Sequence, residues 1–235
     1  FAYSGTATRS SDNPQHWVID GRWDWGSGCH NATWISGGVI LCDEAGDPIR
    51  DAKDRPTEAR VFFRPNEIEI LDNWHTSGLR GSGSSSYTAH ALKLPDYRVA
   101  TVEALRASSF AKMPIYRFPR FGYLALPIGA IALGMARDAI DEALDVAKSK
   151  TPTGSGRKLS SRPGFHRDVA LADSSLRAAR ASFYADIATA WEEAQNGVGS
   201  LETRRLLRTS TVHAVTTSIN VVDSMYTTVG GSSVY

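Results

Sequence analysis

The residues best suited to bind a planar ring lie in the segment Trp23-Asp-Trp-Gly-Ser-Gly-Cys-His30. An indole followed by a serine between two glycines places a stacking surface beside hydroxyl and backbone N–H groups. A planar heterocycle needs that combination, because its face stacks and its edge forms directional hydrogen bonds. The pattern favours a heterocycle site, and tryptophans that fill one end of a β-barrel are the structural alternative.

A second unusual segment is the loop from Asn73 to Tyr87, which contains three glycines and five serines. Its backbone can adopt positive φ angles and approach a ligand closely, so it could surround an anion or a bulky ring. A solvated surface loop is the alternative. The spacing Gly78-x-x-Gly81-x-Gly83 does not predict a dinucleotide-binding turn, because no helix follows it.

Other reactive residue types form no convincing site. The six histidines have no metal-ligand spacing, so no metal site is predicted. Cys29 has no activating base nearby in the sequence, which favours a small buried thiol over a nucleophile. Arg157, in the Gly-rich loop Thr153–Lys158, could grip a phosphate through its fork-shaped guanidinium. A flexible connection between helices explains that loop equally well.

Composition narrows the class of protein. The chain has 235 residues and a net charge of +1, with 26 basic and 25 acidic side chains. Because no charge of one sign dominates, neither nucleic acid nor a membrane surface is an expected partner. Two cysteines without redox spacing fit a cytoplasmic protein. The most apolar run, residues 121–136, is too short to span a bilayer and predicts a buried helix. The chain begins with Phe1 and reads as a piece of a longer protein.

The hydrophobic periodicity changes along the chain and predicts an α+β fold. Short strands separated by turn signals, such as Asp20-Gly21, predict an antiparallel β-barrel or sandwich in residues 1–108. Residues 109–126 are expected to form a linker. Residues 127–235 predict an antiparallel helical bundle, with helices over 127–149, 164–195 and 200–229. Pro127 is placed in the first turn of the first helix. The apolar faces predicted for the first two helices consist of Ile128, Ile131, Leu133, Ala136, Ile140, Leu144 and Ala147, and of Val169, Leu171, Leu176, Ala179, Phe183, Ile187 and Trp191.

Six motifs together resemble the acyl-CoA dehydrogenase-like superfamily, specifically its flavin-dependent monooxygenase branch. They are Ser4-Gly-Thr-Ala7, Gly21-Arg-Trp-Asp-Trp-Gly-Ser-Gly-Cys29, Trp74-His-Thr-Ser-Gly-Leu-Arg-Gly-Ser-Gly83, Ala132-Leu-Gly-Met-Ala-Arg137, Leu176-Arg-Ala-Ala-Arg180 and Gly230-Gly-Ser-Ser-Val-Tyr235. The motifs follow the family's order over the whole chain. The resemblance implies the middle β-barrel domain and an incomplete C-terminal bundle, without the N-terminal helical domain and the last helix.

The resemblance also implies a reduced flavin, FMN or FAD, held between barrel and bundle. Trp25 and Ser27 match the family's aromatic-x-Ser/Thr pattern, which lies against the isoalloxazine ring near N5, and Ser27 is the implied catalytic residue. Gly230, Gly231 and Ser232 match a turn that contacts the flavin. Arg157 is a looser candidate for its phosphate.

The activity implied is that of the oxygenase component of a two-component aromatic hydroxylase. A separate flavin reductase would supply reduced flavin, O2 would add at C4a to give a hydroperoxyflavin, and a phenol-like substrate would be hydroxylated. The family implies a homotetramer. Two alternatives stay open: an acyl-CoA dehydrogenase that oxidises a thioester with FAD, and a non-catalytic oligomerising fragment.

Overall fold

The computed structural model of the protein describes residues 3–197 and 199–231. They fall into two compact units, Phe1–Ser108 and Ser109–Tyr235. The first unit is built on one β-sheet and the second on three long helices.

The sheet of the first unit has seven strands in the order β5-β6-β2-β1-β3-β4-β7. Strand β1 pairs in parallel with β3, and the other pairs are antiparallel. The strands are β1 (Gly5–Arg9), β2 (His16–Trp23), β3 (Ile35–Cys42), β4 (Glu58–Phe63), β5 (Glu69–Ile70), β6 (Tyr87–Pro95) and β7 (Val99–Thr101).

The prediction of an antiparallel barrel is therefore confirmed only as far as a β unit that precedes a helical one. Within the described residues the sheet is mixed, and its order is open, with β5 and β7 at the two edges. The alternation of apolar and polar residues predicts strands but does not say which strands become neighbours, because parallel and antiparallel pairs place side chains with the same period.

The turn predicted at Asp20-Gly21 is wrong. Strand β2 continues through both residues, and its register against β6 shifts between Ile19 and Gly21. At this bulge the Asp20 carboxylate accepts a hydrogen bond from the backbone N–H of Ala91 at 2.9 Å, and Ala91 has a φ of 46°. The polar dipeptide thus serves an irregularity between two strands rather than a reversal of the chain.

The core of the first unit surrounds the indole of Trp23, which is 4% exposed. Its Nε1 donates to the carbonyl of Gly38 at 2.8 Å, and its ring stacks on Tyr87 with centroids 5.4 Å apart. The indole lies so close to the strands around it that an added Cβ would approach it to within 3 Å at Gly5, Gly21 and Gly37. Glycine at these positions is what allows a tryptophan to occupy the centre of a small sheet.

The helices of the second unit are α2 (Pro114–Arg117), α3 (Arg120–Ser149), α4 (Pro163–Asn196) and α5 (Leu201–Val229), and a short α1 (Val102–Ala107) ends the first unit. The prediction of three long helices is confirmed. Ser200 caps α5, because its side chain accepts the N–H of Thr203. Pairs of neighbouring residues such as Gly129 with Phe183 and Arg137 with Asp173 show that α3 and α4 run antiparallel.

The start predicted for the first long helix is wrong, because Pro127 lies inside α3. The helix begins at Arg120, directly after Pro119, and the expected linker contains α2 and the first turns of α3. A proline inside a helix removes one backbone hydrogen bond. Here that loss occurs within a helix of 30 residues, whose buried face supplies the stabilisation.

The predicted apolar faces are correct only in part. Leu133, Ala136 and Ile140 are buried, whereas Ile128 is 63% and Ile131 64% exposed. The apolar residues of α3 cover more of its circumference than the neighbouring helices contact. In α4, Leu176, Ala179 and Phe183 are buried, and Leu171 and Trp191 are exposed. Among the described residues, no helix is both long and apolar enough to cross a membrane.

Candidate functional site

Two loops of the first unit meet beyond the end of β2. One follows β2 (residues 24–34), and the other precedes β6 (residues 71–86). Gly26 N–H donates to the carbonyl of Ser85 at 3.0 Å, and Gly28 N–H donates to the carbonyl of Ser82 at 2.8 Å. A Cβ on Gly26 would lie 2.7 Å from the Ser85 oxygen, so only glycine permits this approach. These backbone contacts join two segments that stand out separately in the sequence, Trp23–His30 and Asn73–Tyr87.

The side chains of Asp24 and Asn73 also hold the two loops together, through hydrogen bonds to Ser86. Ser86 Oγ donates to Asp24 Oδ1 at 2.6 Å and accepts from Asn73 Nδ2 at 2.8 Å, while Ser86 N–H donates to Asn73 Oδ1 at 2.9 Å. The Ser86 hydroxyl, and after it the Arg22 guanidinium, lowers the pKa of Asp24 below its ordinary value. Asp24 therefore holds the loop as an ionised acceptor.

Trp25 differs sharply from its neighbour Trp23. Its indole is 74% exposed, and its backbone is left-handed with a φ of 64°. Trp74 contacts it edge-on, with ring centroids 5.4 Å apart at 73°, and Trp74 Nε1 donates to the carbonyl of Leu79 at 3.1 Å. In the Trp23–His30 segment, Trp23 is part of the core and Trp25 exposes its aromatic ring. The interpretation as a core-filling tryptophan thus applies to Trp23, and the interpretation as a ring-binding residue remains for Trp25.

Ser27, two residues later, is also exposed; its backbone N–H donates to the Trp25 carbonyl at 2.8 Å, and its Oγ lies 2.7 Å from Ser84 Oγ. Ser84 Oγ is in turn 2.7 Å from Ser82 Oγ, and Ser82 Oγ donates to the carbonyl of Leu79 at 2.8 Å. We call Ser27, Ser84 and Ser82 the serine chain. The sequence does not mark Ser82 and Ser84 individually as site residues, although the serine-rich composition of their loop is a signal that points to them.

His30 and Cys29, in the loop after β2, also contact the loop before β6. His30 Nε2 lies 3.1 Å from Ser85 Oγ, and the buried Cys29 thiol lies 3.6 Å from the carbonyl of Gly83. The prediction that Cys29 is a buried thiol is confirmed, since it is 3% exposed. His75 contacts only the carbonyl of Asp72 within the described residues, at 3.2 Å, apart from a longer approach to that residue's carboxylate. The histidine that joins the two loops is therefore His30.

This arrangement meets the two demands of a planar redox ring. The exposed indole of Trp25 offers a stacking surface, and the exposed Ser27 hydroxyl, two residues later in the same loop, offers a directional hydrogen bond. The residues present therefore fit an isoalloxazine ring. Among the described residues, no group of three or more His, Cys, Asp and Glu side chains could hold a metal ion.

Residues 126–235 match the family model of the acyl-CoA dehydrogenase C-terminal domain. The chain is 30% identical over 221 residues to indole-3-acetate monooxygenase of Pseudomonas putida. This match covers 92% of this chain and 53% of that protein. It is 26% identical over 236 residues to the oxygenase subunit HsaA of a flavin-dependent monooxygenase of Rhodococcus jostii. This match covers 92% of this chain and 56% of that protein. The second unit is therefore similar to the acyl-CoA dehydrogenase C-terminal domain over residues 126–235.

Solved structures share the fold of this chain. XiaF from Streptomyces sp., in complex with FADH2 and glycerol, has a TM-score of 0.85 at 20% identity and covers 100% of this chain and 58% of that chain. The 3-HSA hydroxylase from Rhodococcus sp. RHA1 has a TM-score of 0.79 at 23% identity, covering 100% of this chain and 59% of that chain. The chain spans about half the length of the curated relatives it matches.

The remaining predicted site residues lie in the second unit. Gly230 follows α5 with a φ of 69°, and Gly231 comes next, with open space around its Cα. Lys150 Nζ donates to the carbonyl of Val229 and so holds the end of α5. Arg157 is exposed, in the loop between α3 and α4, and its N–H donates to Ser155 Oγ at 3.2 Å. Ser232 lies outside the described residues.

Proposed function

We propose that this protein is the oxygenase component of a two-component flavin-dependent monooxygenase that hydroxylates an aromatic, phenol-like substrate. The observation that carries the proposal is that the exposed indole of Trp25 and the exposed Ser27 hydroxyl lie two residues apart in a loop that backbone hydrogen bonds join to the segment 82–85. The curated relatives support it, because they are named as oxygenases of this type, among them p-hydroxyphenylacetate 3-hydroxylase and a FADH(2)-dependent resorcinol hydroxylase.

In this proposal the chain's own residues bind and orient the ring. Trp25 stacks on its face, and Ser27 forms a hydrogen bond at its edge near N5. Gly230, Gly231 and Ser232 are proposed as a further contact, and Arg157 as a contact to phosphate. A bound reduced flavin supplies the electrons with which O2 is activated. The protein positions the ring and keeps water from it, which suppresses wasteful side reactions.

The partners follow from the same assignment. An oxygenase component needs a flavin reductase that supplies reduced flavin, and the relatives named "oxygenase component" or "oxygenase subunit" support such a partner. We also propose that the protein forms a homotetramer and that it is located in the cytoplasm. Exposed apolar side chains on α3 and α5, such as Ile131 (64%) and Val212 (66%), support association, because such side chains favour burial in an interface.

Flavin binding tests the first step. We expect reduced FMN or FAD to bind the protein under anaerobic conditions, and Trp25→Ala to weaken that binding by about tenfold, since aromatic stacking and the associated burial contribute on the order of 1 kcal/mol or more. Trp34→Ala is the matched control, because Trp34 is also exposed (45%) but packs against Arg64, 3.6 Å from its ring centroid. Absence of binding of either flavin in either redox state would refute the proposal.

The role of Ser27 is tested by coupling. With reduced flavin, O2 and a phenolic substrate, Ser27→Ala should release more hydrogen peroxide and form less hydroxylated product per O2 consumed. Unchanged coupling would remove Ser27 from the reaction. Anaerobic reduction of bound flavin by an acyl-CoA, instead of oxygen-dependent hydroxylation, would assign the protein as an acyl-CoA dehydrogenase.

A further inference from the structure

The hydroxyl protons of the serine chain have one consistent arrangement. The chain contains three short oxygen–oxygen contacts: Ser27 Oγ to Ser84 Oγ at 2.7 Å, Ser84 Oγ to Ser82 Oγ at 2.7 Å, and Ser82 Oγ to the Leu79 carbonyl at 2.8 Å. Each contact needs one proton between its two oxygens, because two lone pairs at this distance repel. The three hydroxyls carry one proton each, and the carbonyl carries none.

The carbonyl therefore fixes the direction of the whole chain. Ser82 must donate to Leu79, so Ser84 must donate to Ser82, and Ser27 must donate to Ser84. The described residues give the Ser27 hydroxyl no second partner. Ser84 is 6% exposed, so its hydroxyl cannot replace these contacts with bulk water. The proton of Ser27 points into the loop junction, and the exposed side of its oxygen carries only lone pairs.

A hydrogen-bond acceptor at this position distinguishes the two redox states of a flavin. The reduced isoalloxazine ring carries an N–H at N5, and the oxidised ring carries a lone pair there. We propose that Ser82 and Ser84 are positioning residues that hold the Ser27 hydroxyl as an acceptor, so that the site selects reduced over oxidised flavin. This inference rests on the proposed function, in which Ser27 meets the ring near N5.

Binding of the oxidised ring would require the opposite polarity. If Ser27 turned its proton outward, only two protons would remain for the three contacts of the chain, and one contact would be left unbonded. The loss of one hydrogen bond corresponds to about a two- to tenfold difference in affinity. The serine chain thus contributes about this factor to the preference for reduced flavin.

The test is the ratio of the dissociation constants for oxidised and reduced flavin, measured by anaerobic titration of the protein. Ser84→Ala removes the inward acceptor, so Ser27 becomes free to donate to the oxidised ring, and the ratio should fall by about two- to tenfold. Ser82→Ala should lower it in the same way although Ser82 does not touch Ser27, because Ser84 can then donate to Ser27. The two-electron reduction potential of the bound flavin should change accordingly, by about 29.6 mV for each tenfold change in the ratio of the dissociation constants.

Ser85→Ala is the matched control, because Ser85 is equally buried in the same segment but contacts His30 instead of the serine chain. Its ratio should stay at the wild-type value. An unchanged ratio in Ser82→Ala, whose side chain is only partly buried, would overturn the inference even if Ser84→Ala did not fold. An equal fall in Ser85→Ala would overturn it as well. Failure of the wild-type protein to bind either form of flavin would instead refute the proposed function, and the inference with it.

Discussion

Replacing Gly37 by alanine should destabilise the first unit, because the new methyl group has no space. Its Cβ would lie 2.5 Å from Trp23 Cε2 and 2.8 Å from both Cζ2 and Nε1. The indole cannot move aside, since it stacks on Tyr87 and its Nε1 donates to the carbonyl of Gly38. Overpacking of a core costs about 1–3 kcal/mol, and disturbance of the indole hydrogen bond adds about 0.5–1.5 kcal/mol.

The expected loss in the free energy of unfolding is therefore about 1.5–4.5 kcal/mol, which lowers the melting temperature of a unit of this size by at least about 6 °C. Urea denaturation followed by tryptophan fluorescence measures it. Gly78→Ala and Gly81→Ala are the controls, because an added Cβ at either position meets nothing within 4 Å. Both should unfold at the wild-type urea concentration.

The cause is tested by combining Gly37→Ala with Trp23→Phe, which replaces the indole by a smaller ring. If the clash with the indole is what destabilises, the double variant should be at least about 1 kcal/mol less destabilised than the sum of the single variants. Additive effects, or a Gly37→Ala protein as stable as wild type, would show that the core around Trp23 is not packed as described.

Three further predictions concern a buried phenol, a helix end and an exposed helix position. Burial raises the pKa of Tyr87 to about 12, above the unfolded value of about 10, so its contribution to stability should be complete below pH 10 and lost as the pH rises through 12. Tyr87→Phe, which also loses the hydrogen bond to the carbonyl of Ser36, should lack this part of the pH–stability profile. Lys150→Met should cost about 0.3–1 kcal/mol by removing the cation from the end of α5 at Val229, seen as faster amide exchange there, whereas Lys150→Arg should not. Gly134→Ala, exposed within α3 with open space around it, should raise the free energy of unfolding by about 0.5–1 kcal/mol in thermal denaturation.

The sequence predicts which residues form strands and helices better than it predicts which residues meet. Local periodicity correctly indicates the three long helices, since it reflects burial of one face. The Asp20-Gly21 dipeptide misleads because its partner, the N–H of Ala91, lies 71 residues later in the chain. Pro127 misleads for a related reason: tertiary packing of α3 overrides the local preference for a helix start.

In the candidate site, too, the sequence indicates suitable residue types but not which residues meet. Trp25 and Ser27 can be selected from sequence, because an aromatic residue beside a small hydroxyl residue suits a ring. Ser84 cannot, because it lies 57 residues from Ser27 and is one of several adjacent serines. Its role depends on the hydrogen-bond partner of each hydroxyl, which only the structure supplies. The direction of the serine chain depends on one further feature, the carbonyl of Leu79, which carries no side-chain signal at all.

Trp25 weakens the fold in two ways. Its indole is 74% exposed, so it contributes little burial, and its left-handed φ of 64° is unfavourable by about 1–2 kcal/mol for a residue with a Cβ. Glycine would remove the strain, and a polar residue would remove the exposed apolar surface. Strained backbone that the surrounding contacts enforce is typical of functional positions. Here the enforcing contacts are those of Gly26 and Gly28 with the loop that carries the serine chain, so the elements that strain Trp25 are the ones that orient Ser27. An exposed ring and a hydroxyl of fixed polarity are thus produced by one junction, which argues that they act on the same ligand.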